Sequence, residues 1–120
     1  MAKILVAGLD GTAVDTLTAE LLGDEHDVLT TSDGYEALQL ALAEQPDLIF
    51  LEPALTLFDG LETCAMLRKD PEIPRALPII LLVSEELDPR TRDKAGATTQ
   101  FLKAHAAWEL RELLSKYLAG

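Results

Sequence analysis

Five short apolar runs alternate with five helical patterns along this chain, and that alternation leaves few architectures open. The runs are Lys3-Ile4-Leu5-Val6-Ala7, Val28-Leu29-Thr30-Thr31, Asp47-Leu48-Ile49-Phe50-Leu51, Ile79-Ile80-Leu81-Leu82-Val83 (opened by Pro78) and Gln100-Phe101-Leu102-Lys103. Behind Asp10 or Thr12 as N-cap, Val14, Leu17, Leu21 and Leu22 form a helical stripe that closes near Gly23. Ala37, Leu38, Ala41 and Leu42 form a second stripe, between the turn Ser32-Asp33-Gly34 and Pro46. Leu61 to Lys69 is a third helix, stopped by Asp70-Pro71, and Asp88 to Lys94 is a polar fourth that ends at Gly96. Ala107 to Leu118 closes the chain with Leu110, Leu113, Leu114 and Tyr117 facing inward. Parallel strands need right-handed helical crossovers, and strands apolar on both faces need cover on both. The expectation is an α/β fold: a doubly wound, five-stranded parallel sheet with helices on two faces, in a single domain spanning 1–120.

A chain of 120 residues with 48 % apolar content can bury one core. Ten basic against twenty-one acidic residues leave a net charge of −11. The acids are scattered (Asp24, Glu25, Asp27; Glu85, Glu86, Asp88; Glu109, Glu112), the pattern of a solvated surface. No basic cluster is available to neutralise phosphates, so direct nucleic-acid binding is not expected. Cys64 is the only cysteine, which excludes an internal disulfide and a multi-cysteine metal site. The strand pattern begins at Lys3, which leaves no room for a signal peptide, and no apolar run approaches the ~18 residues of a membrane span. The expected location is the cytoplasm.

In open parallel sheets ligands bind outside the carboxyl ends of the strands. The first strand runs out into Gly8, Leu9 and Asp10, and the third into Glu52 and Pro53. His26 and His105 have no carboxylate or cysteine at recognisable spacing and read as surface residues. Cys64, mid-helix, reads as a small buried residue.

Several motifs in register resemble a known family. Ser32-Asp33-Gly34-Tyr35-Glu36-Ala37-Leu38, Pro46-Asp47-Leu48-Ile49, Asp59-Gly60-Leu61-Glu62, Leu77-Pro78-Ile79-Ile80 and Ala95-Gly96-Ala97 are similar in order and spacing to receiver domains of bacterial two-component response regulators. The resemblance covers essentially the whole chain and implies a flavodoxin-like sheet of strand order 2-1-3-4-5. Such receivers catalyse their own phosphorylation on an aspartate, taking the group from a histidine kinase. The resemblance places an acidic pair after the first strand, the acceptor aspartate after the third, a hydroxyl residue at the end of the fourth and a lysine after the fifth. The matching positions here are Gly8 and Leu9, Glu52, Val83 and Lys103, and only the lysine is unchanged. The aromatic switch position corresponds to Gln100, and the proline that usually follows the lysine is Ala104.

Each departure removes a piece of chemistry. Mg²⁺ wants carboxylate oxygens in near-octahedral geometry, and Gly8 and Leu9 offer none, so Asp10 and Glu52 would have to suffice. Without the ion, charge on a transferring phosphoryl group meets only Lys103. Glu52 is one methylene longer than aspartate, and Val83 cannot donate a hydrogen bond; Ser84, next along, points to the other face. A degenerate pseudo-receiver is therefore expected, with no catalytic residue, no cofactor and Mg²⁺ binding lost. Glu52 and Lys103 then either form an ion pair that mimics one fixed state, or both project into solvent. A cis peptide at Lys103–Ala104 would cost about 2.5–4 kcal/mol, so a trans bond and a rearranged loop are expected there.

Function would then rest on surfaces. Trp108, with Arg111 and Glu112, is the candidate interaction surface for a signalling partner or a homodimer; alternatively Trp108 folds over the preceding loop against Ala104 or His105. The apolar loop Pro53 to Asp59 either binds a peptide or fills space vacated by the lost acids. Three rival readings stand beside this one. The first is a still active phosphoacceptor in a phosphorelay, using Asp10 and Glu52. The second is a regulatory domain of a larger transcription regulator. The third is a haloacid-dehalogenase-type phosphohydrolase, suggested by Asp10-Gly11-Thr12 but lacking its nucleophile at Gly8.

Overall fold

The computed structural model describes residues 1–118; the last two positions of the expected 1–120 domain lie outside the described residues. Strands β1 (Lys3–Ala7), β2 (Asp27–Thr31), β3 (Leu48–Leu51), β4 (Ile79–Val83) and β5 (Thr99–Leu102) alternate with helices α1 (Gly11–Gly23), α2 (Gly34–Glu44), α3 (Gly60–Lys69), α4 (Pro89–Ala95) and α5 (Ala107–Tyr117). All strand pairs are parallel and the sheet order is β2-β1-β3-β4-β5, as the alternation and the resemblance lead one to expect.

The period-2 alternation of the strands sorts their side chains into two apolar layers. Leu5, Ala7, Ile49, Leu51, Ile79, Leu81 and Val83 face Ala37, Ala41, Cys64, Leu67 and Ala95, the inner residues of α2, α3 and α4. Ile4, Val6, Leu48, Phe50, Ile80 and Leu82 face Val14, Leu17 and Leu21 of α1 and Leu110 and Leu114 of α5. Strands β1, β3 and β4 are buried on both faces, which is why they read as unbroken apolar runs.

Helix starts follow their caps. Asp10 accepts from the Ala13 N–H, Asp33 from Tyr35 and Glu36, and Asp88 from Arg90. At α3, Asp59 accepts from Glu62 N–H while the Glu62 carboxylate reaches back to Asp59 N–H, a reciprocal box. Gly96 ends α4 with φ +84°, a conformation that favours glycine.

Two expectations need correction. Leu22 is exposed: Val14, Leu17 and Leu21 define the inward stripe, and Leu22 falls beside it in the last turn. His105 is no surface residue; its side chain is 5 % exposed and stacks on Phe101 at 4.6 Å. Its Nδ1 donates to the Leu102 carbonyl and its Nε2 lies 2.9 Å from Glu20 Oε1, a carboxylate brought across from α1. The Lys103–Ala104 bond is trans, and His105 folds the following loop back onto β5.

Candidate functional site

The chain places β2 on one side of β1 and β3 on the other, so the sheet order reverses between β1 and β3 and opens a crevice at their carboxyl ends. Backbone bonds fix both rims. The Glu52 N–H donates to the Ala7 carbonyl at 2.8 Å, and the Gly8 N–H to the Thr31 carbonyl at 2.9 Å. Lys103 enters from beyond β5, its N–H bonded to the Val83 carbonyl at 2.8 Å.

The structure brings Gly8, Asp10, Glu52 and Lys103 together. Glu52 is 1 % exposed, a carboxylate at the foot of the cleft. The Asp10 N–H donates to its Oε1 at 2.9 Å. Its Oε2 contacts the Lys103 ammonium, which is that oxygen's sole polar partner among the described residues. The same ammonium lies 3.1 Å from Asp10 Oδ2, so one cation serves two carboxylates. Of the two arrangements open from sequence, the ion pair is the one observed.

These contacts shift protonation in opposite senses. The Asp10 carboxyl is held below its ordinary range, first by the Ala13 N–H that it caps and then by Lys103. For Lys103, burial alone would lower the pKa, but hydrogen bonds to Glu52 and Asp10 outweigh it and hold the ammonium above its ordinary value. Away from the cleft, burial pushes the Cys64 thiol up to about 11, with Arg68 opposing only in part, so this cysteine is not a reactive thiolate.

The other candidate positions are placed as follows. Leu9 is exposed, and Val83 is buried at the end of β4 with Ser84 exposed beyond it. A cavity of about 240 Å³ beside the cleft is lined by Glu52, Pro53, Ala54, Val83, Glu85 and Lys103, among others. Of the Pro53–Asp59 loop, Pro53 and Ala54 line this cavity. Leu55 packs towards the α2–α3 layer, and Leu57 points outward with φ +68°.

Gln100 does something sequence reasoning missed. Its Oε1 accepts from the Leu87 N–H at 2.7 Å while its Nε2 donates to the Leu87 carbonyl at 3.3 Å, clasping the β4–α4 loop to β5. The amide's paired donor and acceptor were the only signal, and they do not name a target. Trp108 is exposed and stands at the mouth of a groove of about 300 Å³ with Glu112, Phe101 and Tyr117. Arg111 leaves that face and reaches Asp24 at the end of α1, at 3.3 Å, so the predicted trio divides between two sides of α5.

The fold and this cleft define a receiver. The model of the response regulator receiver domain matches residues 4–115, and the chain belongs to that family. It is 36 % identical over 110 residues to the alkaline phosphatase synthesis transcriptional regulatory protein PhoP of Bacillus subtilis, covering 90 % of this chain and 45 % of that protein. The chain thus spans about half the length of that relative. It is 29 % identical to protein PilH of Pseudomonas aeruginosa, over the full length of both. Among solved structures, the receiver domain of a sensor histidine kinase from Pseudomonas aeruginosa superposes with a TM-score of 0.88 at 22 % identity, covering 99 % of this chain and 98 % of that one.

Receivers are signalling modules of two-component systems, and they normally hold Mg²⁺ in this cleft; the kinase receiver just named carries the ion there. The residues present here match that ion poorly. Position 8 has no side chain and position 9 is leucine, while the two carboxylates that do reach the cleft both hold the Lys103 ammonium. A hard divalent cation would have to displace that ammonium and would find no side-chain oxygen at position 8 or 9.

Proposed function

We propose that this chain is a pseudo-receiver: a two-component signalling domain that works through protein–protein contact without being phosphorylated and without Mg²⁺. One observation carries the reading. Glu52, at the acceptor position, is folded down beneath Asp10 N–H and tied to Lys103, with almost no exposure to a phosphodonor. An in-line displacement needs a free acceptor oxygen facing the incoming phosphorus and a cation at the equatorial oxygens. Here both acceptor oxygens are engaged by the protein, and Val83 supplies no hydrogen bond to the group being transferred.

The working surface on this reading includes Trp108 and Glu112 beside β5. A second chain or a partner protein would cover the exposed indole, which is a common interface anchor. The 1–120 span acts as one domain, and the cytoplasm is the compartment where two-component signalling would use it. Among the described residues no helix is long and apolar enough to cross a membrane.

The test is incubation with acetyl phosphate, and separately with beryllofluoride, in excess Mg²⁺, followed by intact mass and ¹⁹F spectra. Unchanged mass and no bound fluoride signal are expected. An acyl phosphate or a beryllofluoride adduct at Glu52 overturns the proposal in favour of a working phosphoacceptor. For the surface, Trp108→Ala should weaken self-association or partner capture; identical behaviour of wild type and variant in both removes Trp108 from the interface.

A further inference from the structure

Gly8 and Glu52 lie at the ends of neighbouring strands, and their shapes are complementary in a way neither residue shows alone. The Glu52 side chain does not rise into the open cleft. It bends beneath the β1–α1 turn, where the Asp10 N–H meets Oε1 at 2.9 Å. A β-carbon on Gly8 would stand 2.5 Å from Glu52 Cδ and 2.6 Å from Cγ, closer than carbon atoms can pack. The outer half of Glu52 therefore fills the volume that any side chain at position 8 would need. Beyond it, the Lys103 ammonium touches Glu52 Oε2 and lies 3.1 Å from Asp10 Oδ2.

We propose that positions 8 and 52 form one exchanged unit. The extra methylene of Glu52 carries its carboxylate into the place of a position-8 side chain, and the Lys103 ammonium, held between that carboxylate and Asp10, is the cleft's resident cation. The proposal rests on the reading of this cleft as closed to Mg²⁺ and adds that two residues close it, jointly and reversibly. Gly8→Asp alone forces two carboxylates into one volume. Glu52→Asp alone withdraws a carboxylate and leaves the space beside Gly8 empty. The two together put one carboxylate at each strand end, next to Asp10, which is the oxygen-rich set a hard divalent ion takes.

Thermal unfolding of the wild type, both single variants and the Gly8→Asp/Glu52→Asp double variant, with MgCl₂ from zero to about 10 mM, tests this. The wild-type Tm should ignore Mg²⁺. Gly8→Asp should lose about 5 °C or more. The double variant should melt above Gly8→Asp, and its Tm should climb with Mg²⁺ by several degrees, the mark of binding to the folded state. A wild-type Tm that rises with Mg²⁺, a double variant that is merely additive, or one indifferent to Mg²⁺ overturns the proposal. A charge-free cycle covers failure of Gly8→Asp to fold: Gly8→Ala should lower Tm clearly in the wild type and hardly at all in a Glu52→Ala background. Equal losses in both backgrounds overturn it as well. A phosphoryl adduct on wild-type Glu52 would refute the proposed function while leaving this coupling cycle to be judged on its own numbers.

Discussion

Replacing Lys103 by methionine deletes the ammonium but keeps most of the side chain's length, and its cost follows from what Glu52 is left with. Oε1 retains the Asp10 N–H at 2.9 Å, whereas Oε2 loses its sole partner at a residue that is 1 % exposed. Removing one member of a buried ion pair costs about 3–5 kcal/mol, against about 0–1 kcal/mol for an exposed pair. The Lys103 side chain is 21 % exposed, so water reaches the site from one side, and the lower end, about 3 kcal/mol, is the fitting figure. At an unfolding entropy of about 2.1 cal/mol/K per residue, that is a Tm loss of about 12 °C for this chain. Circular dichroism melts at neutral pH read it directly. Glu52→Gln combined with Lys103→Met buries no charge and should recover about half of the loss, because the remaining amide is far cheaper to bury than a carboxylate. A Lys103→Met variant that melts within about 4 °C of the wild type would place the pair among surface pairs. The cleft would then be wetted, and the closed-site account would fail.

Four further outcomes follow from the structure. Asp10 is depressed below its ordinary 3.8, so its contribution to stability is present above that pH and disappears as pH falls through the lower folded value; urea melts should show an acid limb below about pH 4 that flattens in Asp10→Ala. Lys103 is raised above 10.5, so its contribution is complete below that pH and is lost only as pH climbs past the folded value, giving a base limb above about pH 10.5 that is absent in Lys103→Met. Leu57 is 75 % exposed with φ +68°, so Leu57→Gly should raise stability by about 0.5–1 kcal/mol in denaturant melts, and any loss would mean the leucine packs on something. Gln100→Leu strips the Leu87 N–H and carbonyl of their partners and should cost about 1–2 kcal/mol and abolish slow hydrogen exchange at the Leu87 amide; retained protection there would refute the clasp.

The fold was legible because its signals are local. Strands β1, β3 and β4 are apolar on both faces, Asp10, Asp33, Asp59 and Asp88 cap the helices they precede, and proline and glycine mark the breaks. Edge strand β2 starts one residue earlier than its apolar run, at Asp27, because pairing with Lys3 and not burial defines its first position. At the site, residue types told what was missing but not what replaced it. Nothing in the spacing says that a glutamate will curl towards a glycine in the neighbouring strand, since that depends on which strand lies beside β1. His105 was misread for the same reason. Its carboxylate, Glu20, is 85 positions away and meets it only once α1 and α5 share a face of the sheet.

Two restraints of different kind act on this domain. At the cleft, the Lys103 ammonium is fixed by two carboxylates; on the far side of β5, Gln100 fastens Leu87 and with it the β4–α4 loop. A ligand can shift a conformational equilibrium only through a difference in its affinity for the two states. On the proposed reading, a cleft whose carboxylates are held by Lys103 gives a phosphodonor no such handle, and the β4–α4 loop is independently pinned. On the proposed reading, the information this chain conveys is its presence and amount at a partner, and Gln100→Leu should loosen the β4–α4 loop while leaving the cleft's ion pairs in place.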